Sequence, residues 1–63
     1  MKISKDEVGK RVSIRLRVGG TYVGMVTKVT DSATYLKLDD GTDTQVSNGM
    51  IASLQHLKVE NHD

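Results

Sequence analysis

The sequence contains no cysteine, no proline, no phenylalanine and no tryptophan, and only two tyrosines among its 63 residues. Without cysteine there is neither a disulfide framework nor a thiolate metal site, the staples on which small scaffolds most often rely. A domain of this size hides only about 60% of the surface its unfolded chain exposes, so its core is thin and self-association is the remaining route to extra stability. The shortage of aromatic rings leaves few platforms for base stacking and rules against the multi-aromatic pockets that take methyl-lysine or proline-rich ligands. No apolar stretch approaches the roughly 20 residues needed to span a bilayer, and MKISKDEVGK lacks the apolar centre of a secretory signal. The expectation is one domain over residues 1–63, cytoplasmic and without a membrane partner.

What is present is distributed unevenly. Residues 1–30 carry seven basic and two acidic side chains, and residues 31–63 carry two basic and six acidic ones. The ordinary account is a charged outer face of the kind every small β-domain shows. The sharper account is a basic surface for phosphate, or complementary patches that meet between subunits.

Spacing supplies the secondary structure. Val12, Ile14, Leu16 and Val18 alternate with Ser13, Arg15 and Arg17, the period of a half-buried strand over about residues 10–18. Gly19-Gly20 then predicts a two-residue hairpin turn, after which Thr21-Tyr22-Val23 restarts a β-favouring run. In this second strand Tyr22, Gly24 and Val26 are in phase, but the next large apolar residue is Val29, so a bulge or bend is expected near Thr27-Lys28 and close backbone approach at Gly24. Asp31-Ser32 makes a turn, Tyr35–Leu38 a third strand with Leu36 and Leu38 inward, and Asp40-Gly41 a second hairpin. A fourth strand, about Asp43 to Ser47, has Val46 as its only strong core residue and reads as an edge. Asn48-Gly49 marks a turn or a 3₁₀ turn before Ile51, Leu54 and Leu57 bring in the last strand. Ser4 with Glu7 matches a capping box, and Gly9 limits any N-terminal helix to about one turn. The fold class is all-β: a small, five-stranded, strongly bent SH3-like barrel. Val12, Ile14, Leu16, Val26, Leu36, Leu38, Val46, Ile51 and Leu54 are expected to share its core.

Two stretches resemble a known family. The run V-S-I-R-L-R-V-G-G-T-Y-V-G-M-V from Val12 to Val26, followed by Asp31 and Y-L-K-L-D-D from Tyr35 to Asp40, is similar to the first motif of the Sm and Sm-like (Hfq-like) proteins. V-S-N-G-M-I-A-S-L keeps the second motif's spacing, with Val46, Ile51 and Leu54 at its apolar positions, so the likeness spans residues 12–54. The RNA-contacting positions are degenerate. The family's Arg-Gly falls on Ser47-Asn48, the Lys-His of the Hfq-like branch on Asn48-Gly49, and the base-stacking Asn on Tyr35. The resemblance implies a barrel that pairs strand four of one copy with strand five of the next and closes into a homo-oligomeric ring of about five to seven subunits.

Catalysis finds little support. The histidines are His56, in the last strand, and His62, in a terminal segment expected to fray, and neither sits near a candidate nucleophile. A calcium loop starting at Asp39, with Asp40 and Asp43 around Gly41, would need glutamate where Met50 stands. The chain is expected to be no enzyme and to need no metal or cofactor. Candidate nucleic-acid contacts are Lys10, Arg11, Arg15, Arg17 and Lys28, with Tyr35 as a stacking side chain, Arg15 and Arg17 being placed on one strand face to meet successive phosphates. Candidate interface residues are the outward Val23 and Met25, Thr44, Gln45, Val46 and Ser47 of strand four, and Ser53, Leu54, Gln55, His56 and Leu57 of strand five. The leading expectation is an Sm-like oligomer that binds single-stranded RNA mainly by its phosphates; the alternative is a structural or protein-adaptor module without nucleic acid.

Overall fold

The computed structural model describes residues 1–57; His62 lies outside them. A 3₁₀ turn at Lys5–Glu7 precedes strands β1 (Arg11–Leu16), β2 (Thr21–Val29), β3 (Ala33–Leu38), β4 (Asp43–Ser47) and β5 (Ile51–His56), with a second 3₁₀ turn, Asn48–Met50, between the last two. All five strands pair antiparallel in one sheet of order β4-β3-β2-β1-β5. The sheet is open, and β4 and β5 are its two edges.

The alternation in β1 does what its period requires: Val12 and Ile14 are fully buried while Arg15 is exposed. The strand is shorter than expected because the turn begins sooner. Gly19 N–H donates to Leu16 O at 3.1 Å and Leu16 N–H to Gly20 O at 3.1 Å, so the hairpin loop is Arg17-Val18-Gly19 rather than a two-residue Gly19-Gly20 turn. Its third loop residue, Gly19, sits at φ 96°, a left-handed conformation that glycine enters without steric cost. The β3–β4 hairpin closes the same way around Gly41, at φ 88°, through Gly41 N–H to Leu38 O and Leu38 N–H to Thr42 O.

β2 joins the two halves of the sheet, pairing with β1 through residues 21–25 and with β3 through residues 24–29. Val26 faces Leu36 but Lys28 faces Tyr35, so Thr27 is the additional residue of a bulge. That one-residue slip turns both Val26 and Val29 to the core, where a strict alternation would have sent Val29 outward. At Gly24 the two strands approach closely. A Cβ built on it would lie 2.9 Å from Leu38 Cα and from Lys37 C, and nearer still to Lys37 O.

The core comprises Ile3, Val12, Ile14, Val26, Val29, Leu36, Val46 and Ile51, with Leu16, Tyr22, Leu38 and Leu54 partly buried against it. Leu16 and Leu38 are therefore rim residues, each the last of its strand, and Leu54 is half-buried because it stands on the edge strand β5. Ile3 joins the core from the N-terminal segment. The expected capping box forms only in part: Ser4 Oγ accepts from Asp6 N–H at 3.1 Å, while the Glu7 carboxylate turns away to His56 and Lys10.

Gly24→Ala should weaken the fold by more than a surface substitution, because the new methyl meets backbone that cannot rotate aside. The expected loss is at least about 1–3 kcal/mol, the usual range for forced overpacking. Chemical denaturation checks it, and an unchanged midpoint would mean that β2 and β3 do not approach as described.

Candidate nucleic-acid interface

The basic residues singled out for phosphate contact do not stand as one row. Arg11, at the start of β1, forks onto Asp39 in the β3–β4 turn, with Nη2 2.6 Å from Oδ2 and Nε 3.4 Å from Oδ1. This hydrogen-bonded pairing raises the guanidinium's pKa and holds the Asp39 carboxyl below its ordinary value. Lys10 lies 3.7 Å from Glu7. Lys28 lies over the Tyr35 ring, 5.5 Å from its centroid, so one face of the candidate stacking ring already carries a cation. Arg17 belongs to the hairpin loop and not to the strand face of Arg15. Its backbone N–H donates to Met50 O at 2.8 Å and its Nη1 reaches Gly49 O at 3.5 Å, which ties it to the β4–β5 turn.

Arg15 is different. It is exposed, and it makes no ion pair or side-chain hydrogen bond among the described residues. On the outward face of the sheet it pairs directly with Thr21 of β2 and Ser53 of β5, and Ser13 pairs with Gln55 in the adjoining row. These five side chains line a depression of about 150 Å³. A separate, wider recess of about 980 Å³ is lined by Lys2 and Lys5 of the N-terminal segment and by Val29, Asp31 and Gly49, among others.

The turns around that recess are held by a buried side chain that spacing did not reveal. Asn48 Oδ1 accepts from the fully buried Thr34 hydroxyl at 2.7 Å, its Nδ2 donates to Thr30 O at 2.9 Å, and its backbone N–H donates to Ser32 O at 2.9 Å. Thr30 Oγ1 in turn accepts from Ala33 N–H at 3.0 Å. Asn48 thus fastens the β2–β3 turn to the β4–β5 turn. Tyr35, one residue beyond Thr34, points to the opposite face of β3 by strand alternation, so its ring and the Asn48 side chain, which bonds Thr34, do not converge.

The assembly candidates also divide. Val46 is core and Leu54 packs against it, so these residues offer only backbone to an interface, whereas Gln45, Ser47, Ser53, Gln55 and His56 are exposed. Thr44 and Leu57 are half-buried. Val23 and Met25 lie on β2, the central strand, away from both edges. At the edges the ladder fixes which backbone groups are free. Leu38 N–H bonds Thr42 O on one side and Leu57 N–H bonds Arg11 O on the other. Carrying the antiparallel alternation along each register turns the N–H and C=O of Asp43, Gln45 and Ser47, and of Leu54 and His56, away from the sheet.

Comparison of the chain with family models, with curated proteins and with solved structures found no match.

Asp40 joins Asp39 in titrating low, because Thr42 N–H donates to its carboxylate at 2.8 Å. As pH falls, the unfolded chain takes up protons at these two groups before the native state does. Their stabilisation is therefore full above the ordinary aspartate value of 3.8 and disappears as pH drops through the lower native values. A double Asp39→Asn, Asp40→Asn variant should show a shallower loss of thermal midpoint between about pH 4 and pH 2 than the parent; parallel profiles would place the acid sensitivity elsewhere.

Proposed function

We propose that the chain is a non-catalytic, self-assembling module of the Sm-like kind, a strongly bent SH3-type barrel whose copies join edge to edge and bind single-stranded RNA through its phosphates. The observation that carries this reading is the composition of the two open edges. Monomeric β-proteins often blunt exposed edge strands with charged side chains, lysine above all, or with proline, and here Asp43 at the start of β4 is the one acidic side chain on either edge. Neither β4, D-T-Q-V-S, nor β5, I-A-S-L-Q-H, contains lysine, arginine or proline. The two free rows of backbone donors and acceptors suit each other, and a β4-to-β5 contact between copies is heterologous, closing into a ring when the rotation permits. A ring of about five to seven subunits would repeat each subunit's Arg15, exposed and without an ion pair among the described residues, around a circle, which is how weak phosphate contacts add up along one strand of RNA.

A structural or protein-adaptor role is the second reading. It is favoured by the neutralisation of Arg11 by Asp39 and by the poverty of aromatic platforms. Both readings share the edges and part at the RNA.

Proline at Gln45 or at His56 removes one edge-facing N–H without breaking a bond within the sheet, so either should lower the assembly's mass while the subunit stays folded. Multi-angle light scattering at tens of micromolar checks this, with His56→Ala as the control for the lost Glu7 contact; a wild-type mass of 6.9 kDa would end the assembly reading.

RNA affinity should fall steeply with salt and vary little with sequence. Arg15→Glu with Arg17→Glu should abolish it. Equal binding by this double variant at low salt would show the surface to be misassigned, and no binding by the wild type leaves the adaptor reading.

A further inference from the structure

We propose that the depression around Arg15 is a built site for a tetrahedral oxyanion, and that a phosphate of the RNA backbone is what it holds. The inference deepens the RNA reading and rests on it for the identity of the ligand. It rests for the chemistry on the five side chains alone.

Arg15 is centred in a row of three residues paired directly across three strands, Ser53, Arg15 and Thr21, so a hydroxyl flanks its stem on either side at the roughly 4.5–5.5 Å spacing of cross-strand neighbours. Ser13 and Gln55 close the next row. The set offers five guanidinium N–H donors in a planar fork, three hydroxyls that each donate or accept, and one amide. No carboxylate lines the depression. That donor-rich, acid-free set suits an anion and repels nothing about it, and the fork matches two oxygens of a phosphate in parallel. Its volume of about 150 Å³ leaves room for a phosphate group with water still bridging to the hydroxyls.

The surrounding charges sharpen the choice. Arg11 and Lys10, the other basic residues at the start of β1, already face Asp39 and Glu7. Arg15 faces no acid among the described residues, so an incoming anion displaces only water from it. The wider recess beside Lys2 and Lys5 includes the Asp31 carboxylate in its lining, which works against an anion there. Two of the five residues, Ser53 and Gln55, stand on the edge strand β5, but their side chains project from the face of the sheet, so pairing of β4 with β5 between copies through the backbone groups of the edge leaves the depression open.

The test uses the 63-residue chain and two probes. First, inorganic phosphate is titrated into isotopically labelled protein, with chloride at matched ionic strength as the reference. Shifts confined to Ser13, Arg15, Thr21, Ser53 and Gln55 are expected, and shifts that merely follow ionic strength would overturn the site. Second, a fluorescent oligouridylate is titrated across a range of salt. Arg15→Gln should weaken binding by about tenfold or more and reduce the slope of log K against log salt by about 0.7 for each subunit engaged. Arg15→Lys keeps the charge but not the fork, so it should preserve the slope and still lose affinity. If Arg15→Lys matches the wild type, the site is only a point charge and the proposal fails. If wild type and Arg15→Gln bind RNA equally, the phosphate sits elsewhere and the RNA reading survives without this site. If the wild type binds no RNA yet phosphate shifts those five residues, the oxyanion site stands and its assignment to RNA is overturned.

Discussion

Close approach of β2 and β3 at Gly24 is the constraint on which the rest of the molecule depends. No side chain fits between Gly24 and the Lys37–Leu38 backbone, so β3 settles against β2 there, at the point where β2 passes from pairing with β1 to pairing with β3. The bulge at Thr27 follows within one turn of the pleat and reverses the phase, bringing Val29 in beside Val26. Together these two features let nine residues serve two halves of one sheet and curl it over a core of eight principal side chains. They also determine the topology. With β2 shared in the middle, β1 and β3 take its two sides, and the later strands can only add outward, leaving β4 and β5 as edges.

A core this thin needs something to hold its ends, and here a polar network does so. Asn48 and Thr34 are the two buried polar residues, and no buried side-chain polar atom among the described residues lacks a partner. Each hydrogen bond in such a network contributes modestly, but leaving one buried donor or acceptor unmet costs about 1–3 kcal/mol. The network therefore acts as a lock on geometry: the β2–β3 turn and the β4–β5 turn have one relative placement that satisfies Asn48 on all sides. That placement sets the mouth of the wide recess and also positions Met50, whose carbonyl anchors the Arg17 loop.

Much of the fold was legible because period-2 alternation, paired glycines and a phase slip are local signals. Val12 and Ile14, the bulge at Thr27, the edge character of β4 and the 3₁₀ turn at Asn48 could all be read from spacing. The misreadings have physical causes. Gly19-Gly20 suggested a two-residue turn, but a three-residue loop uses a left-handed glycine equally well and draws Arg17 off the strand, and so the expected Arg15–Arg17 face does not exist. Ile3 was invisible because a lone apolar residue ahead of a capping signal has no period. Asn48 looked like turn chemistry, and only the tertiary arrangement shows its side chain pointing inward. Charge was the least legible feature. Arg11 and Asp39 are 28 positions apart, and no local pattern announces that the register of β2 with its two neighbours brings them together.

That pairing changes what the charge asymmetry means. A basic first half and an acidic second half suggested attraction between subunits, yet at physiological ionic strength such attraction acts only within about 8 Å, and the fold itself brings the opposite charges that close. Arg11, from the basic half, meets Asp39, from the acidic half, across the sheet. The asymmetry is thus partly spent inside one subunit, as fold-specific contacts at an exposed surface. In the proposed assembly, contact between copies would rest on the backbone rows of β4 and β5, which are uncharged and insensitive to salt, while attraction for anions would fall to the cations left unpaired. For the proposed function such a separation has a physical consequence: salt should act on ligand binding and leave contacts between copies largely alone, because the two would draw on different interactions.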